Sequence, residues 1–145
     1  MSLRDYLESA HYRQVQLRRN GVGHFETGGS LNGHPVQVLI DTGAASTVVS
    51  LARAREFGLD CVSLGRLGGG AGGAALEVFD IRNATLRVGD VIPRLRQLLA
   101  MDLAHVNAAL ALRGTAPIDV ILGVDVFDAQ AAVIDYGSAS LFLRD

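Results

Sequence analysis

A run of apolar, β-branched residues that stops at a single carboxylate constrains this chain more than anything else in it. Val36-Gln37-Val38-Leu39-Ile40 reads as a strand, Asp41-Thr42-Gly43 turns it, and Thr47-Val48-Val49 resumes the extended pattern. Apolar residues on both sides of Asp41 predict a strand end packed in the core. An acid at such a place is costly unless hydrogen bonds and a charge-sharing partner hold it. Gly43 lets the backbone turn beneath the carboxylate, and Thr42 sets a short hydroxyl beside it. A plain β-turn, in which the Asp bonds its own backbone, accounts for Asp41 and Gly43. It leaves the flanking apolar segments unexplained, so Asp41 is read as chemical.

The chain has 145 residues, enough for one domain with a real core. Hydrophobic residues make up 49% and charged residues 19%, which argues against disorder. A net charge of −2 gives no reason to expect nucleic acid, whose binders concentrate basic surface. No apolar run approaches membrane-spanning length. One cysteine, Cys61, excludes an internal disulfide and leaves the redox compartment open. Met1-Ser2-Leu3 opens no signal-peptide core, so the chain reads as soluble and cytoplasmic, or periplasmic if an export signal has been trimmed away.

Taken in order, Leu3, Tyr6, Leu7 and Ala10 recur at helical spacing. Val15 and Leu17 alternate with polar residues as a strand would, and Asn20-Gly21 signals a turn. Phe25 to Leu31 and Val36 to Ile40 flank Asn32-Gly33, a strong hairpin signal that delivers Asp41 at a strand end. Leu51 to Phe57 reads as a short helix closed by Gly58. Cys61 to Leu64 is extended, Gly68-Gly69-Gly70-Ala71-Gly72-Gly73 carries almost no side chains, and Leu76 to Ile81 alternates cleanly; with Ala84 to Val88 this reads as a long glycine-tipped hairpin. Gly89-Asp90 turns the chain and Val91 to Met101 reads as another strand. His105 to Leu112 is a short helix or a loop. Ile118 to Gly123 is a second apolar run, Val124 to Gln130 a short helix, and Ala132–Tyr136 and Ser140–Leu143 are strands about Gly137-Ser138. The class is mainly β with short helices.

Three features therefore stand in sequence: Asp41-Thr42-Gly43-Ala44, the glycine-rich tip at 68–73, and Ile121-Leu122-Gly123 followed by a helix and Ile134-Asp135-Tyr136. From Phe25 to Leu143 this resembles the retropepsin-like aspartic proteases, particularly bacterial single-domain members. The resemblance implies a closed acid-protease β-barrel, one lobe per chain, spanning 21–145, with 1–20 as an N-terminal helix and strand extension. It implies an aspartic endopeptidase in which Asp41 is the catalytic acid and Thr42 bonds across to its counterpart in the other lobe. Thr42, Gly43 and Ala44 would form the active-site loop, Gly70, Ala71 and Gly72 the substrate-covering flap, and Ile121, Leu122 and Gly123 the support beneath. Such enzymes need two aspartates, and no second D-[TS]-G occurs, so the implied partner is a second copy of the chain and the implied substrate a peptide or protein. No metal or organic cofactor is implied. Viral members pair an Asp two residues past the DTG glycine with an Arg after the C-terminal glycine; here those positions hold Ala45 and Val124, and the ion pair has no counterpart. Two-lobed members carry Ser or Thr after the DTG glycine, where this chain has Ala44.

Rival readings are weaker. Gly68, Gly70 and Gly73 satisfy G-x-G-x-x-G with Asp90 downstream, but a dinucleotide site needs a helix on those glycines, and a strand pattern follows instead. His24, Glu26 and His34 match no standard metal-ligand spacing. Cys61 with His105 makes an unconvincing nucleophile pair, since a lone Cys among apolar residues is usually filler. Asp119, Asp125 and Asp135 read as structural caps or ion-pair partners, and Arg53 and Arg55 as a solvated helix face. The alternative from another class is a non-cleaving module of the same fold that binds peptides or dimerises.

Overall fold

The computed structural model describes residues 1–69 and 75–145. In chain order the elements are α1 (Leu3–Ser9), β1 (Tyr12–Gln16), β2 (Arg18–Arg19), β3 (Phe25–Leu31), β4 (His34–Ile40), β5 (Val48–Ser50), α2 (Leu51–Glu56), β6 (Asp60–Gly69) and β7 (Ala75–Arg82). Then follow β8 (Leu86–Val88), β9 (Leu99–Met101), α3 (Ala104–Leu112), β10 (Val120–Leu122), α4 (Val124–Ala129), β11 (Val133–Asp135) and β12 (Ser140–Arg144). The larger sheet runs β2-β3-β4-β10-β5-β9-β7-β6, with β8 paired to β3, and a small sheet runs β1-β12-β11. The molecule is mainly β, with four short helices among the described residues. The large sheet is an open path: among the described residues no pairing joins β2 to β6.

Local chemistry explains the first half of the path. Asn32 and Gly33 take φ of 48° and 84°, the two left-handed positions of a tight hairpin turn. They set β3 against β4 with Leu31 opposite His34 and Thr27 opposite Val38. Gly29 sits where β8 pairs antiparallel with β3, and an added Cβ would overlap the Arg87 carbonyl oxygen. Ser50 caps α2 by accepting the Arg53 N–H, and Gly58 ends that helix region at φ +73°.

β10 and the end of β4, Val38-Leu39-Ile40, read as unbroken apolar runs because both of their faces are covered. Val36, Val38, Ile40, Val120 and Leu122 enter the main core with Leu31, Val49, Val88 and Leu141. Leu39 faces the other way, onto Leu110 of α3 and Ile118, with Val106 and Ile121 packed alongside. Thus α3, which the sequence left between helix and loop, is a helix that seals the second face of the sheet.

Two elements depart from expectation. Only Leu99–Met101 of the segment 91–101 is strand, apart from an isolated bridge between Val91 and Val88. Pro93 lacks a backbone donor and restricts Ile92, which is 50% exposed. In α1 the apolar stripe is mostly in water: Leu7 is buried, while Leu3 and Tyr6 are 47% and 58% exposed. No helix among the described residues is long and apolar enough to cross a membrane.

Candidate active site

The topology brings three chain segments to one place. β10 runs parallel to β4, with Ile40 beside Leu122, and antiparallel to β5, with Ile121 beside Val48. The chain leaving β4, the chain entering β5 and the chain leaving β10 therefore meet at one end of the sheet. The loop 41–47 lies there. Asp41 N–H donates to the Leu122 carbonyl (3.0 Å) and Val124 N–H to the Ala44 carbonyl (2.8 Å).

Gly123 is required by this contact. Its φ of −118° suits any residue, but an added Cβ would stand 2.7 Å from Ala44 O and 2.9 Å from Ser46 O. Both obstacles are backbone, so neither can swing aside. Thr47 completes the lock. It is fully buried, its hydroxyl donates to Asp125 Oδ1 (2.7 Å) and accepts Gly123 N–H (3.0 Å), and its own N–H donates to Asp125 Oδ2 (3.0 Å). Asp125 Oδ1 also accepts Val126 N–H at 3.0 Å, in the first turn of α4. One carboxylate thus clamps the start of β5 to the start of α4.

Asp41 itself is less enclosed than its flanks predict. Ile40 is 8% exposed, but Asp41 is half-buried and Thr42 and Gly43 are exposed. Apolar burial ends with the last residue of β4 because the turn lifts the loop off the sheet. Asp41 Oδ1 accepts Gly43 N–H at 2.8 Å, and Ala44 N–H reaches the Asp41 carbonyl at 3.2 Å. These are the self-bonds of the plain turn, here combined with the bracing from β10. Among the described residues the carboxylate makes no ion pair, and the Thr42 hydroxyl no hydrogen bond.

The loop opens on a cleft of about 530 Å³. Asp41, Gly43 and Ala44 line it on one side, and Val48, Leu76, Val78, Leu99, Met101 and Ile121 form an apolar wall. Gly68 closes on that wall so tightly that a Cβ would meet Val78 Cγ2 at 2.8 Å and Met101 Cε at 3.0 Å. Gly70, Ala71 and Gly72 lie outside the described residues. Of the supporting trio, Ile121 faces the cleft, Leu122 is fully buried in the core, and Gly123 meets the loop.

The other singled-out residues sit elsewhere. Glu26 is buried against Asn20 Nδ2 (2.7 Å) and Arg18 (3.5 Å), His34 stacks on Phe57, and no metal-ligating cluster occurs among the described residues. Cys61 is half-buried, and burial pushes its thiol up. Asp119 accepts Gln37 N–H (2.8 Å) and meets Arg53 Nε (3.1 Å), so Arg53 braces β4 rather than merely facing solvent. Two cleft residues, Arg66 and Leu103, carried no signal in the sequence; His105, weighed there only beside Cys61, also lines the cleft, with a buried Nε2 that has no partner among the described residues. The Thr47–Asp125 clamp was likewise invisible, though a threonine opening an otherwise apolar run was its one trace.

Comparison with known proteins agrees with this geometry. A family model described as aspartyl protease matches residues 27–126, from β3 through the start of α4. No curated protein sequence matches the chain. Among solved structures, a retropepsin-like aspartic protease from Rickettsia conorii is 17% identical, with 91% of this chain and 90% of that one covered at a TM-score of 0.53. The retroviral protease-like domain of Ddi1 from Leishmania major is 15% identical, covering 81% and 86%, at 0.55. EIAV protease in complex with the inhibitor HBY-793 is 24% identical, covering 72% and 85%, at 0.50. At these identities the structural likeness speaks to the fold, and the family model to membership. This chain belongs to the aspartyl protease family and carries its retropepsin-like fold.

Proposed function

We propose that the chain is an aspartic endopeptidase whose active site forms across a homodimer, each copy giving one Asp41. The observation that carries this reading is the placement of Asp41, on a loop braced by β10 and α4 and open to an apolar cleft. The exposed Thr42 and Gly43 form the face on which a second copy would complete the site. Two carboxylates about 3 Å apart cannot both ionise cheaply, so they hold one proton between them, an arrangement for which aspartic proteases are the type case. The ionised Asp41 takes a proton from a water molecule, whose oxygen attacks the peptide carbonyl carbon. The protonated Asp41 gives its proton to the carbonyl oxygen. As the tetrahedral adduct collapses, the C–N bond breaks, the departing amine takes up a proton from the dyad, and one hydroxyl of the adduct returns its proton to the dyad. The arm of β6 and β7 would cover the bound peptide and bond its extended backbone. The chemistry requires no metal.

The test is cleavage of a mixed peptide library across pH by the purified chain, with Asp41→Asn alongside. Cleavage on the acid side of neutrality, absent in the variant, is expected. Equal cleavage by both proteins would overturn the mechanism, and peptide binding without cleavage would favour the non-cleaving module.

A further inference from the structure

The cleft wall is apolar but for one strong cation. β6 pairs regularly with β7 from Asp60–Arg82 to Ser63–Phe79 and again from Leu67–Glu77 onward, so 64–66 face Val78 alone. This bulge is built rather than accidental. Gly65 takes φ +66°, and the Ser63 hydroxyl accepts Gly65 N–H (3.2 Å) while donating to Glu77 Oε2 (2.6 Å). Bulges beside a site serve to re-aim a side chain. Here the displaced residue is Arg66, which has no ladder partner and lines the cleft with Asp41. Arg18, Arg53 and Arg82 each meet a carboxylate, whereas the Arg66 side chain makes no ion pair or hydrogen bond among the described residues. The acid on the neighbouring strand, Glu77 of β7, is engaged by Ser63.

Resting on the endopeptidase reading above, we propose that Arg66 is a specificity-determining residue that receives a carboxylate of the bound peptide while the apolar wall takes a neighbouring side chain. The guanidinium fork matches a carboxylate in two parallel hydrogen bonds. It also offsets the negative charge shared by the dyad, which would otherwise repel an acidic peptide. The carboxylate is either an internal Asp or Glu side chain or a free C-terminus; the chemistry is the same.

The experiment compares fluorogenic peptides carrying Glu or Gln at each position around the scissile bond, and peptides with free or amidated C-termini. Wild type, Arg66→Gln and Arg66→Lys are assayed for cleavage, and binding of the same peptides is read by anisotropy on Asp41→Asn with and without Arg66→Gln. Wild type should favour the acid at one position about tenfold, through KM rather than kcat, with the ratio near one in Arg66→Gln and partly restored in Arg66→Lys. A preference for the free terminus instead supports the inference with that source. If nothing is cleaved but binding keeps an Arg66-dependent preference, the peptidase reading fails and this inference stands. Indifference of the wild-type sequence to the carboxylate, or a preference that survives Arg66→Gln, overturns it.

Discussion

Thr47→Val keeps the branched shape of a fully buried side chain and deletes one hydroxyl. Two bonds go with it. The bond to Asp125 Oδ1 is charge-assisted and worth about 1.5–3 kcal/mol, and losing the acceptor for Gly123 N–H leaves a buried donor unpaired at about 1–3 kcal/mol. Asp125 keeps the N–H groups of Thr47 and Val126, so the lower ends of the ranges apply. Their sum, about 2.5 kcal/mol, is a large share of the roughly 5–15 kcal/mol that holds a domain folded. Urea unfolding at fixed protein concentration reads it directly. With a slope of about 2 kcal/mol/M the midpoint should fall by about 1.2 M and the slope stay constant. Thr47→Ser, which keeps the hydroxyl, should lose much less. A midpoint shift under about 0.3 M for Thr47→Val would refute the clamp as a structural element.

Further outcomes follow from the same geometry. Gly123→Ala should destabilise by about 2–3 kcal/mol, since the new methyl meets the Ala44 and Ser46 backbones, and the loss shows as a lowered unfolding midpoint. Ala44→Ser should add a hydrogen bond to the charged form of Asp41 and move the optimum of cleavage to lower pH; an unchanged or raised optimum would sink that account. Asp135 is held below the usual carboxylate range, chiefly by the Ser138 hydroxyl (2.6 Å) and also by the N–H groups of Gly137 and Ser138. Because its folded pKa is depressed, it contributes stability present above the ordinary carboxylate pKa and lost as pH falls through the folded value. Ser138→Ala should therefore flatten the acid limb of stability against pH, which thermal melts between neutrality and strong acid would show.

What the sequence disclosed was what depends on neighbours in the chain. Asn32-Gly33 demanded two left-handed residues and so paired β3 with β4 in the observed register. Ser50 and Gly58 bounded α2 by capping chemistry that operates within a few residues. The apolar run at 118–123 was visible in the sequence, but nothing local said that it would insert between β4 and β5. Asp125 was legible as a cap of its own helix and not as the partner of Thr47, 78 positions away. Arg66 was silent because its placement depends on a bulge set by Ser63 and Gly65 across from another strand. The segment 91–101 does carry a strand, confined to Leu99–Met101 because Pro93 lacks a backbone donor and restricts the residue before it.

The central claim is that two copies of Asp41 make one active centre, and subunit mixing tests it most directly. Wild type and Asp41→Asn are combined at constant total concentration, left to exchange, and assayed for peptide cleavage. A dyad shared across a two-fold axis predicts that an equal mixture retains about a quarter of the wild-type rate, because only dimers with two native chains are active. An activity that falls only in proportion to the wild-type fraction, to about half, would mean that each chain works alone and would contradict the account.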